Sequence, residues 1–256
     1  MYGSVYLIAS FVFMVGTLLG SFANVCIHRL PPRESVCTPR SYAPCCGRRL
    51  RSWHLVPVLS WIALRGRCAY CRSAISLHYP VVELLGGGLA LLVYVAIPDM
   101  IPRFSAWLFF FGLLVVFFTD WRERIIPDEI SLGGVVLGLM LSPWTIGLVP
   151  ALTGSAAGGV SFYLIGWFYK KASGQVGMGL GDVKLAFMLG AFLGPAAFLA
   201  AVLLASTAGS ILGLSLIRFG RASSSAALPF GSLLAPAAVL ALFKGAELWS
   251  WYHSLF

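Results

Sequence analysis

The chain has 256 residues, 59% hydrophobic and 11% charged, with 18 Lys and Arg against 9 Asp and Glu, a formal net charge of +9. A soluble domain carries about a quarter charged residues, so this composition, with a mean hydropathy of +0.88, excludes one. Apolar runs of about bilayer-spanning length recur throughout, and lipid admits only helices or closed barrels. The runs are continuous rather than alternating, which predicts an all-α, polytopic integral membrane protein.

About eight transmembrane helices are expected in chain order: Val5 to Cys26, Pro80 to Ile97, Phe104 to Thr119, Glu129 to Leu148, Ala151 to Phe168, Asp182 to Leu193, Ala196 to Ile217 and Leu228 to Trp249. The third and sixth are short. The first has no basic residue before it and is too long for a signal peptide, so it reads as a retained span. Three organisational parts follow: 1–28, the first span; 29–79, a cytoplasmic Arg- and Cys-rich loop; and 80–256, a seven-helix membrane core. Gly154/Gly158, Gly190/Gly194 and Gly209/Gly213 have the small-xxx-small spacing that lets helices approach closely. No internal repeat stands out.

Charge orients the bundle. Nine arginines and one acid, Glu34, lie between Arg29 and Tyr79. With this loop in the cytoplasm, Arg122, Arg124, Lys170, Lys171, Lys184, Arg218 and Arg221 also fall inside, and only Arg103 and Lys244 fall outside. This is a positive-inside pattern, with both termini external. The basic residues then meet anionic lipid headgroups, and their place in short juxtamembrane loops argues against nucleic acid as a partner.

Two acids stand out at the cytoplasmic edge: Asp120 in "TDWRERIIPDEIS" and Asp182 in "GMGLGDVKL". Glycines before Asp182 permit close approach by another chain. Two carboxylates sharing a proton can activate a water for attack on an amide, one as base and one as acid. Alternatives stand beside this reading. An aspartate at a helix start is ordinarily a cap, which is the expectation for Asp128, and Lys184 is expected to snorkel to the headgroups. Intramembrane acids also mark ion routes, so a transporter or channel is the rival function.

The loop holds Cys37, Cys45, Cys46, Cys68 and Cys71. A reducing compartment disfavours disulfides. Cys68-x2-Cys71 is half of a zinc ribbon, and a cysteine-containing loop without metal is the alternative.

Four ordered blocks, "GSFANVCIHRLP", "LVPVLSWIALRGRCAYCRSAISLHYPVVELLGG", "TDWRERIIPDEIS" and "GMGLGDVKLAFMLGAFLG", resemble the bacterial type IV prepilin peptidases, aspartyl membrane proteases with a GxGD motif. The resemblance implies cleavage of the leader from prepilins or type II secretion pseudopilins, after a glycine, at the cytoplasmic face of the inner membrane. It implies Asp120 and Asp182 as the catalytic pair. It also implies N-methylation of the new N-terminus with S-adenosylmethionine as donor, for which no glycine-rich fingerprint is present. Many members carry a second cysteine pair upstream. Here "SYAPCCGRR" has Ala43 at the first position and Cys46 at the second, so Cys46, Cys68 and Cys71 match as zinc ligands, with Cys45 or Cys37 as the fourth. Glu83 matches a family acid, as an interhelical hydrogen-bonding group or with a direct role.

Overall fold

A computed structural model describes residues 2–175, 177–219 and 228–253. Among these residues, eight α-helices run in the order α1 Tyr2–Arg29, α2 Leu59–Ala63, α3 His78–Ala96, α4 Met100–Glu123, α5 Asp128–Leu141, α6 Leu148–Ser173, α7 Leu180–Arg218 and α8 Phe230–His253. Among the described residues there is no strand beyond two isolated bridges, so the all-α expectation holds. Among the described residues, five helices (α1, α3, α4, α6 and α7) are long and apolar enough to cross a membrane, while α5 and the apolar stretch Phe230–Gly245 are shorter. Arg221, counted above among the cytoplasmic charges, lies outside the described residues.

The chain divides into two compact units, Met1–Val115 and Val116–Phe256. In the first, α1 and α3 pack antiparallel through glycines. A β-carbon on Gly16 would stand 2.7 Å from the Gly86 carbonyl oxygen, and one on Gly20 2.7 Å from Glu83 Cα. Near the same helix ends, buried Asn24 donates to the Tyr79 carbonyl at 3.1 Å. The cysteine-bearing loop is tied to both helices. Buried Arg29 donates to the Ser35 carbonyl at 3.0 Å, and Glu83 accepts from the Val58 N–H at 2.7 Å. The expected interhelical bond of Glu83 is present, to the Ser21 side chain of α1, and the same carboxylate also holds loop backbone, at a residue with φ 61.

In the second unit α7 is not one rod. Gly194 takes φ 70, ψ 175 inside it, and Pro195 follows, which lacks an N–H and disfavours helical geometry in its predecessor. The chain doubles back there. A β-carbon on Gly158 of α6 would stand 2.8 Å from the Ala186 carbonyl and 3.0 Å from the Phe198 ring. A straight helix would separate residues 186 and 198 by about 18 Å. The break coincides with the expected boundary between the sixth and seventh spans.

The small-residue pairs let helices approach closely, as expected. Gly154 meets Gly190 and Gly194 backbone to backbone, whereas Gly209 and Gly213 receive Leu233 and Leu228 from the start of α8. Helix α8 runs antiparallel to the second half of α7, since Ala197 meets Gly245. Helix α5 runs parallel to the first half, with Met188 against Gly134 and Phe192 against Gly138. These directions gather the end of α4, the starts of α5, α7 and α8, and the end of α6 at one end of the unit. Helix α6 stops there at Gly174 (φ 71), whose N–H bonds to the Lys170 carbonyl at 2.9 Å. Lys170 and Lys171 complement the helix dipole in that last turn.

Candidate active site

Asp120 occupies the last turn of α4 and is 5% exposed. The helix ends at once: Arg124 takes φ 54 while its N–H still bonds to the Asp120 carbonyl at 2.9 Å. Asp182 is the third residue of α7, behind an extended Gly179 (φ −74, ψ 145). The two glycines of "GLGD" each have a spatial reason. A β-carbon on Gly179 would stand 3.3 Å from Asp182 Oδ2, and one on Gly181 3.2 Å from the β-carbon of Ile126. The carboxylate therefore folds back over the first glycine, and the second lets α7 approach the turn between α4 and α5.

Buried Ile126 also approaches the start of α8. A β-carbon on Gly231 would lie 3.0 Å from Ile126 Cδ1 and 3.0 Å from Asp120 Oδ2. Ile126 is thus wedged between the starts of α7 and α8, and Asp120 and Asp182 lie close enough for the charge of one to act on the other. Two acids sixty-two positions apart in sequence are brought to one place.

A third residue joins them that the sequence reading did not single out. Ser232, 2% exposed, donates its N–H to Asp120 Oδ2 at 2.7 Å, and its Oγ lies 3.1 Å from the same oxygen. The Phe117 carbonyl, also 3.1 Å from Oγ, competes for the single hydroxyl proton. The first N–H groups of a helix lack partners within it, and here the α8 donor is met by an acid from another helix. The available signal was "PFGS", a proline, a glycine and a serine opening an apolar run.

Two expectations about neighbouring charges are corrected. Asp128 makes no side-chain cap bond, because Pro127 holds the cap position. Lys184 does not simply extend to headgroups: its Nζ pairs with Asp128 Oδ1 at 2.7 Å.

In the first unit, Cys45, Cys46, Cys68 and Cys71 have their sulfurs all within 4.8 Å of one another. Two similar turns build the cluster, twenty-five positions apart. The Ala43 N–H bonds to the Arg48 carbonyl as the Cys68 N–H does to that of Ser73. Gly47 (φ 67) repeats Arg72 (φ 60), and the bridge Tyr42–Arg49 repeats Arg67–Ala74. This structural repeat is hidden in the sequence because few residue types recur. Buried Ala43 stands where the second turn has buried Cys68, and Cys45 supplies the fourth sulfur from the position equivalent to Tyr70. Cys37 is exposed and outside the cluster.

A tetrahedral zinc with Zn–S near 2.3 Å sets its sulfurs about 3.8 Å apart, so this set fits one. Backbone N–H groups of Cys71 and Tyr70 bring the Cys68 thiol down to about 6, whereas the bond to Cys71, 3.1 Å between sulfurs, pushes Cys45 up to about 12.

Comparison with known proteins decides what such an arrangement belongs to. Residues 14–97 match the model of the bacterial peptidase A24 N-terminal domain, and residues 107–214 that of the type IV leader peptidase family. The chain belongs to the type IV leader peptidase family. This is a family of aspartic peptidases. The chain is 35% identical to a prepilin leader peptidase/N-methyltransferase of Burkholderia pseudomallei (strain K96243), over 92% of this chain and 85% of the relative. It is 34% identical to the protein of that name from Pseudomonas putida, over 93% and 91%. The one from Aeromonas hydrophila is 33% identical, over 100% and 97%. No solved structure matches the chain significantly. Ser232 lies beyond the residues that the family model covers.

Proposed function

We propose that this protein is a membrane endopeptidase that removes the leader of type IV prepilins or type II secretion pseudopilins, cutting after a glycine at the cytoplasmic face of the inner membrane. The observation that carries this reading is the convergence of Asp120 and Asp182 at one end of the second unit. Arg122, Arg124, Lys170, Lys171, Lys184 and Arg218 gather at that same end and Lys244 lies at the other, as the cytoplasmic side requires. Helix α7 has 39 residues, too long for one crossing of a core about 30 Å thick, and its reversal at Gly194 supports two. With α5 and α8 this makes eight crossings, arranged as a first span (1–28), a loop domain (29–79) and a protease core (80–256).

In the reaction, one carboxylate of the pair accepts a proton from water as the water oxygen attacks the scissile carbonyl carbon. The other holds the shared proton and gives it to the substrate side. The C–N bond then breaks, and the amine leaves protonated. Burial of Asp120 keeps competing water away. Membership of a peptidase family favours this over transport.

Cys45, Cys46, Cys68 and Cys71 would hold a structural zinc, which would staple the two turns of the loop domain. The names of the relatives support N-methylation of the new N-terminus with S-adenosylmethionine. Two cavities in the first unit do not fit that donor. One, of about 20 Å³, and another, of about 360 Å³ beside Val81, Leu84, Leu85 and Leu92, are lined almost wholly by apolar side chains.

Mass spectrometry of a purified prepilin incubated with the detergent-purified protein tests the reading. The product should begin immediately after a glycine and gain one methyl group when S-adenosylmethionine is added. Cleavage elsewhere in the prepilin would contradict it.

A further inference from the structure

The side chain of Asp120 has a broad, two-fold final torsion of its own, yet a base must be held within a fraction of an ångström, since a displacement of about 1 Å costs roughly a hundredfold in rate. Something outside α4 has to fix it. Ser232 brings its N–H and its hydroxyl to the same carboxylate oxygen, Oδ2, at 2.7 and 3.1 Å. The donor is itself held rigidly. Ser232 is buried, and the preceding Phe230 packs on Phe162 of α6 with ring centroids 6.1 Å apart. Gly231 leaves the space, because a β-carbon there would press on Asp120 Oδ2 and Cγ at 3.0 and 3.2 Å.

We propose that Ser232 is the positioning residue of Asp120: it fixes Oδ2, so that Oδ1 is the oxygen turned to the reacting water and to Asp182. This rests on reading the two acids as the peptidase centre. Helix α8 is then a third component of the site, with Gly231 as the clearance that lets its first turn reach Asp120. Oδ2 serves orientation, and Oδ1 serves chemistry.

Two measurements on the detergent-purified full chain test this. With a purified type IV prepilin as substrate, Ser232→Ala, which removes the hydroxyl and keeps the N–H bond, should lower kcat about threefold to tenfold, as expected for losing one buried hydrogen bond to a carboxylate. KM should stay within about twofold. Ser232→Thr, which keeps the hydroxyl, should recover most of the lost rate, and Gly231→Ala should lower kcat as well. Without substrate, the infrared carboxylate band that disappears in Asp120→Asn should shift in Ser232→Ala and hold its place in Ser232→Thr. A wild-type kcat in Ser232→Ala, an equal loss in the Thr variant, a rise in KM alone, or an unmoved Asp120 band would each overturn the proposal. Full cleavage by Asp120→Asn would instead sink the peptidase centre, and the infrared result, which needs no turnover, separates the two failures.

Discussion

Lys184 Nζ stands 2.7 Å from Asp128 Oδ1, an ion pair that joins the fifth residue of α7 to the first residue of α5. Lys184 is two positions beyond Asp182, so this contact helps to set the start of α7 beside the turn that follows Asp120. It also occupies Asp128, the third aspartate at this end of the unit, with a partner outside the acid pair.

Both partners are substantially exposed, at 32% and 52%, and water and salt screen such pairs. Asp128→Asn and Lys184→Met should each cost less than about 1 kcal/mol in thermal unfolding and leave prepilin cleavage within about threefold of wild type. Loss of cleavage in Asp128→Asn alone would show that Asp128 belongs to the chemistry.

Glycines divide into those that meet backbone and those that face open space. A β-carbon on Gly154 would press on the Gly190 carbonyl and the Gly194 backbone, while one on Gly133 would meet nothing within 4 Å. Gly154→Ala should therefore lower stability by about 1–3 kcal/mol through overpacking. Gly133→Ala should be neutral or gain up to about 1 kcal/mol from helix propensity. Unfolding midpoints in detergent distinguish the two, and equal midpoints would refute the packing of α6 on α7.

Zinc content reads out the cysteine cluster. The purified protein should hold about one equivalent, lost in Cys45→Ser and Cys71→Ser and kept in Cys37→Ser. Ala43→Cys combined with Cys45→Ala should bind again, because Ala43 stands where the repeated turn carries Cys68. Retention of metal by Cys45→Ser would remove Cys45 from the ligand set.

The side of the loop is open to labelling. Cys37 is exposed and outside the cluster, whereas Cys68 is buried and makes a poor reporter. An impermeant thiol reagent should leave Cys37 unmodified in intact spheroplasts and label it once the membrane is broken. Labelling of intact cells would invert the topology drawn from the arginines.

What was legible in the sequence had a local signature. Gly194 followed by Pro195 announces a helix break from two residues alone, and Asp120 and Asp182 stand out because acids are scarce in so apolar a chain. What was illegible depends on partners distant in sequence. Ser232 is one serine among many until α8 brings it to Asp120. Glu83 also accepts the Val58 N–H from the loop, at a residue with φ 61 that no motif marks. The fourth sulfur of the cluster is decided by how "SYAPCCGRR" folds, since Cys45 and Cys37 are equally eligible by type. Likewise, Asp128 loses the cap position to Pro127, although both are common at helix starts.

The central claim is that two particular carboxylates cut the leader. Asparagine keeps the size and much of the hydrogen bonding of aspartate but cannot take a proton from water near neutral pH. The most direct measurement is cleavage of a purified prepilin by detergent-purified wild type, Asp120→Asn and Asp182→Asn, with folding checked by thermal unfolding. The account predicts a shortened product with wild type and none with either variant, although both remain folded. A folded Asp120→Asn or Asp182→Asn protein that cleaves at the wild-type rate would contradict it.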